Sequence, residues 1–123
     1  MKNYLWMEPW ELVRKEQRGE FEIRFSITPD KDDPAEFFAW ETKDEDRDIV
    51  ENIRVGKLLW FSARVTASKA GVVLGSEYLG GCCYENTDDF LSSSNYESMA
   101  EFAIDEARET LVKLCGCKKE GKS

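Results

Sequence analysis

At 123 residues, with 41% hydrophobic and 12% aromatic content, the chain is long enough for one domain with its own core and too apolar to be disordered, despite 34% charged residues. Its net charge of −8, from 25 acids and 17 bases, disfavours direct binding to a nucleic-acid backbone and favours a basic partner. With no histidine, Ser-His-Asp and Cys-His catalysis are excluded, and no apolar run approaches the roughly 18 residues of a transmembrane helix.

In chain order, the opening MKNYLWMEPWEL lacks the apolar centre and small-residue cleavage site of a signal peptide, which places the protein in the cytosol. Pro9 suits a first helical position, so Glu8-Pro9 predicts a short helix to about Arg18, stopped by Gly19, with Trp6, Trp10 and Val13 inward. Residues 20–28, EFEIRFSIT, alternate Phe21, Ile23, Phe25 and Ile27 against Glu22, Arg24, Ser26 and Thr28, a strand with one buried and one wet face. PDKDDP is then a turn or short loop. Residues 35–42, AEFFAWET, read as a second strand with aromatics on both faces. Residues 43–56 predict a short helix capped by Asp44 and closed by Gly56, with Ile49, Val50 and Ile53 inward and Asp44, Asp48 and Glu51 outward; a solvated loop with one helical turn is the alternative.

Residues 57–84 form a hairpin. Leu59, Phe61, Ala63 and Val65 alternate with Trp60, Ser62, Arg64 and Thr66, and Ser68-Lys69-Ala70-Gly71 is a four-residue turn. Gly75, Gly80 and Gly81 in the returning strand signal a bulge or the close approach of another backbone. Thr87-Asp88-Asp89 starts one helical turn with Phe90 and Leu91 tucked in. Asn95 to Cys115 is a long amphipathic helix capped by Ser94 or Asn95, with Met99, Phe102, Ala103, Ala107, Leu111 and Leu114 on its apolar face. Gly116 ends it. The expected fold is α+β: an antiparallel sheet of about four strands, the C-terminal helix packed on one face, and one or two short helices, in a single domain 1–115 with a basic tail 116–123.

Catalytic and cofactor motifs are missing from this pattern. The glycines do not form GxGxxG or GK[ST] spacing. Asp44, Asp46 and Asp48 alternate like the start of a calcium loop, without the following Gly and distal Glu. Cys82 and Cys83, adjacent on a strand, point to opposite faces, and with Cys115 and Cys117 they read as small hydrophobes and tail thiols rather than zinc ligands. No cofactor or metal is expected.

Charge carries the remaining signal. Residues 30–51 hold ten acids against three bases and residues 85–109 eight against one, while residues 52–84 hold one acid and four bases. On the long helix Glu97, Glu101, Asp105 and Glu109 fall every fourth residue, where like charges repel by roughly 0.2–0.5 kcal/mol per pair. Four residues of helix rise about 6 Å, similar to the phosphate spacing along a nucleic-acid strand. Such a ladder, joined by Asp88 and Asp89 or by Asp44, Asp48 and Glu51, is a candidate partner-binding surface that imitates a phosphate backbone, with Asp44, Asp46 and Asp48 the next candidate contacts; a merely solvated helix face is the alternative.

A small, acidic, histidine-free chain with the hairpin WFSARVTASKAGVVLGSEYLGG followed by an acidic helix resembles, in style across residues 20–115, the anti-CRISPR and anti-restriction inhibitors of phages and mobile elements. The resemblance implies a non-enzymatic protein in the host cytosol that blocks the nucleic-acid site of a bacterial defence complex by contact. The expected partner is therefore a basic surface of a nucleic-acid-binding complex, with no direct nucleic acid and no membrane. Two alternatives stand beside it. One is a hydrophobic interaction module using Trp6, Trp10, Phe38 or Trp40, including a homodimer through the sheet. The other is a small hydrolase with carboxylate-bound Mg²⁺.

Overall fold

The computed structural model describes residues 10–36 and 44–115. Four strands, β1 (Glu11–Arg18), β2 (Phe21–Pro29), β3 (Leu59–Lys69) and β4 (Val72–Tyr84), form one antiparallel sheet in the order β1-β2-β3-β4. Among the described residues three helices accompany it, α1 (Asp44–Arg54), α2 (Thr87–Leu91) and α3 (Ser94–Cys115), with a 3₁₀ turn at Pro34–Glu36. This is the α+β architecture expected from the sequence, with strands joined to their chain neighbours. The tight turns have the backbone they need. Gly19, with φ +61°, is the first residue of the β1–β2 turn, and Ala70 and Gly71, at +54° and +81°, form the β3–β4 turn. Two successive positive φ angles give the twist that lets two long strands pair directly. That loop is two residues rather than four, because Ser68 and Lys69 are already paired with Val73 and Val72.

One sheet face carries the core. Phe21, Ile23, Phe25, Phe61, Ala63, Val65 and Ala67 are buried there, as the period-two alternation requires. α3 lies on this face against β4 and β3. It buries Tyr96, Met99, Ala100, Ala103 and Ala107, so its central contact stripe is made of small residues. Opposite it, a Cβ on Gly75 would overlap the Ala103 carbonyl oxygen and stand 2.8 Å from the Ala107 nitrogen. Gly75 is thus the close backbone approach foreseen for that strand. Gly80 and Gly81 supply the bulge: Phe61 pairs with Cys82 and Ala63 with Leu79, leaving the two glycines opposite Ser62. At the other end of α3, Phe25, Phe61, Tyr84, Phe90 and Tyr96 form an aromatic cluster, with Phe25 and Phe90 stacked at 5.0 Å. Phe90 comes from α2, whose first turn is capped by the Asn86 side chain accepting from Asp89 N–H at 2.9 Å.

Several expectations need correction. Residues 11–18 are a strand, not a helix; residue-by-residue pairing with β2 through the Gly19 turn outweighs the helical spacing of Trp6, Trp10 and Val13. Val13 does reach the core, whereas Trp10 packs on Arg64 and Tyr78. Ala35 and Glu36 lie in the 3₁₀ turn, and the rest of the strand expected at 35–42, with Phe38 and Trp40, is outside the described residues, as are Trp6 and Cys117. Ser26 and Thr28, expected on a wet face, are buried. On α3, Phe102 is 59% and Leu114 70% exposed. Phe102 points away from the sheet. Leu114 follows the inner stripe but lies a turn beyond Thr110, whose hydroxyl bonds the Leu74 carbonyl near the start of β4.

Replacing Gly75 by alanine forces the helix and strand apart. Overpacked core positions cost roughly 1–3 kcal/mol, so urea unfolding of Gly75→Ala is expected to show a destabilisation of that size or greater. An unchanged midpoint would mean that α3 does not approach β4 this closely.

Candidate functional site

The position of each α3 acid follows from the helical period and the buried stripe. Glu97 and Glu106 fall on the two flanks of that stripe, where they can reach the sheet; Glu101, Asp105 and Glu109 fall on the far side, in solvent. The flanking pair is structural. Glu97 takes both Arg18 terminal nitrogens, at 2.9 and 3.1 Å, a bidentate link to β1. Glu106 accepts the Ser76 N–H at 3.1 Å on β4. The far-side acids are exposed, and Asp105 has Arg108 at 4.0 Å. Phe102, three residues before Asp105, is exposed among them.

The expected ladder therefore divides. Glu101, Asp105 and Glu109 share one solvent stripe, whereas Glu97 is engaged with Arg18. On α1, Asp44 and Asp48 are exposed and one turn apart, but Asp46 is half-buried and two residues round the helix. Arg47 donates to Asp44 at 3.0 Å. α1 packs on the 3₁₀ turn, with Arg54 at 3.7 Å from Asp33, whereas α3 packs on β3 and β4. The three aspartates of α1 thus do not form one face.

A second feature of the helix side is a polar chain from β1. Tyr96 donates to Glu16 at 2.6 Å, and Arg18 donates to the same oxygen at 3.1 Å. The Tyr96 bond, with Arg18 beside it, holds the Glu16 carboxyl below the usual carboxylate range, against the opposing effect of burial. Glu97 first, then Glu16, push the Arg18 guanidinium further towards its charged form. Burial and Glu16 push the Tyr96 phenol upward. Asp30, at the end of β2, is a comparable anchor. Burial alone would raise its pKa, but N–H bonds from Gly81 (2.7 Å) and Asp32 (2.9 Å) and the Ser62 hydroxyl (3.0 Å) hold it below the ordinary value. It fastens the loop after β2 to the glycine bulge, and Trp60 Nε1 donates to the Asp32 carbonyl at 2.8 Å alongside.

The opposite sheet face holds a cleft of about 360 Å³. Register explains it. Arg24 pairs with Thr66 and Ser26 with Arg64, so the two arginines are diagonal neighbours on β2 and β3, about 7–8 Å apart. Trp10 covers one side, with its ring 4.5 Å from the Arg64 guanidinium carbon and edge-on to Tyr78 at 6.1 Å. Arg24 Nε donates to Glu22 at 3.2 Å. The alternation of β3 placed Arg64 on this face, but the reading of residues 8–18 as a helix hid the part played by Trp10.

Cys82 faces the core and Cys83 the other side. Burial first, then the nearby Asp30, pushes the Cys82 thiol up to about 11, and burial also raises Cys83, so neither is an activated nucleophile. Among the described residues, three or more metal-ligating side chains do not gather in one place. Comparison with protein-family models, with curated proteins and with solved structures finds no match.

The lowered carboxylates set an acid limit. Unfolded, Glu16 and Asp30 take up protons near their ordinary values of 4.5 and 3.8, whereas the folded state holds them ionised to lower pH. Their contribution is complete above about pH 5 and is lost as pH falls through the lowered native values. Urea midpoints are expected to fall steadily below pH 5, and less steeply in Glu16→Gln. An equally steep fall in that variant would remove Glu16 from the effect.

Proposed function

We propose that this is a non-catalytic binding protein that docks the acidic side of α3 onto a basic nucleic-acid-binding surface of a partner and competes there with nucleic acid. The observation that carries the reading is the exposed stripe of Glu101, Asp105 and Glu109, rising about 6 Å per step on one rigid helix. Its flanking acids are held by the sheet, so the stripe keeps its geometry without being neutralised by it. Residues 85–109 carry eight acids and one base, a field that attracts a basic channel at long range. Phe102 adds a large apolar side chain within the same surface, of the kind that anchors protein interfaces. The resemblance to small phage-type inhibitors supplies the partner class, a CRISPR-Cas or restriction complex.

The alternative of a hydrophobic interaction module draws support from the same Phe102, but its contacts would persist in high salt. Rim-type charge contacts act mainly on association rate and are screened by ions.

The test is capture from bacterial lysate at low salt, release by high salt, and competition of the captured complex with its nucleic acid. Glu101→Lys combined with Asp105→Lys is expected to weaken the interaction by about tenfold or more while leaving the melting temperature unchanged, since neither side chain holds the sheet. Equal affinity of wild type and double variant would overturn the reading. Retention that survives high salt would transfer it to Phe102.

A further inference from the structure

The cleft on the outer sheet face is the molecule's other distinctive surface, and its chemistry is opposite to that of α3. Although the protein carries a net charge of −8, no carboxylate lines the cleft among the described residues. Two guanidiniums do. Arg18, Arg24, Arg47, Arg54 and Arg108 each stand within ion-pair distance of an acid. Arg64, like Arg14, makes no ion pair among the described residues, and an aromatic ring covers Arg64. Its Nε is buried without a hydrogen-bond acceptor. A guanidinium fixed by a ring rather than by a carboxylate keeps its charge uncompensated, and its terminal nitrogens form a planar fork suited to an oxyanion.

The remaining walls point to what the oxyanion is attached to. Tyr78 is 63% exposed and is steadied edge-on by Trp10, so it offers a pre-ordered flat surface. Ser26, Thr66 and Ser76 also border the cleft. A volume of about 360 Å³ suits a small molecule. A polymer is opposed by the acidic remainder of the protein.

We propose that this cleft is a binding site for a small flat ring bearing one oxyanion, either a phosphate as in a nucleoside monophosphate or a carboxylate as in an aromatic acid. The oxyanion takes Arg64, the ring lies on Tyr78, and Arg24, held by Glu22, borders the site. The site is separate from the proposed docking surface, which lies on the other side of the sheet.

Two-dimensional amide NMR of the full ¹⁵N-labelled chain tests this, with AMP and benzoate as the two oxyanion sources and adenosine and inorganic phosphate as controls. Saturable shifts at Ser26, Thr66, Ser76 and Tyr78, but not along α3, are expected for at least one of AMP and benzoate, with Kd below about 1 mM. Whichever binds identifies the oxyanion. Arg64→Gln and Tyr78→Ala are each expected to weaken it about tenfold. Because Tyr78 is exposed, its variant keeps the fold and remains informative if Arg64→Gln unfolds. The proposal is overturned if neither probe shifts these amides at about 10 mM, if inorganic phosphate matches AMP, or if Tyr78→Ala binds as tightly as wild type.

Discussion

The approach of α3 to β4 at Gly75 is the constraint on which the arrangement depends. Backbone meets backbone there, with the Ala103 carbonyl and Ala107 amide over a residue that has no side chain. Three alanines on the helix stripe make the approach geometrically permissible but bury little apolar area. Adhesion comes mainly from the other end, where Phe25, Phe61, Phe90 and Tyr96 meet. A buried phenylalanine contributes about 1.5–3 kcal/mol and an alanine much less. One end of the contact sets the distance and the other supplies the stabilisation.

This geometry also decides which charges do structural work. α3 reaches both edge strands: Glu97 meets Arg18 on β1, and Glu106 and Thr110 meet Ser76 and Leu74 on β4. From Glu97 to Thr110 the helix rises about 20 Å, while four strands span roughly 14 Å, so the crossing is diagonal. The contacts on β4 engage main-chain groups on the side of the strand away from β3, which limits pairing of that edge of the described sheet with another chain. Every acid that touches the sheet lies on a flank of the helix. The far-side acids repel one another without a compensating contact of that kind, and this is the physical reason to look to a partner for their role.

Much of this fold was legible in the sequence. Alternation of Phe21, Ile23, Phe25 and Ile27 located β2, Gly75 announced a close approach, and Asn95–Cys115 was visibly one helix. What could not be read was set by tertiary pairing. Trp6, Trp10 and Val13 have helical spacing, but a glycine that ends a helix and a glycine that opens a hairpin both take positive φ, and Gly19 does the latter. Phe102 and Leu114 fit the apolar period, yet which side of a helix is covered, and for how many turns, depends on the sheet beneath it. The acid ladder was visible as a spacing, and the helical period already set Asp46 apart from Asp44 and Asp48; that Glu97 belongs to Arg18 required the fold. The cleft was less legible still, because it needs the register that sets Arg24 diagonal to Arg64.

The two surfaces differ in how charge acts on them. At the α3 stripe, the field of the whole protein and the local contacts have the same sign towards a basic partner, so attraction at a distance and attraction on contact add. At the cleft they oppose: a net charge of −8 repels an anion from afar, while Arg64 attracts it close by. Ions screen interactions beyond about 10 Å at 0.1 M and leave short contacts less affected. Salt therefore removes the long-range help from the stripe but removes the long-range hindrance from the cleft. An acidic protein can hold a small anion only where contact outweighs the field, which requires the local acids to be kept away. Among the described residues, the outer face of the sheet meets that condition at Arg64, where Trp10 stands instead of a carboxylate.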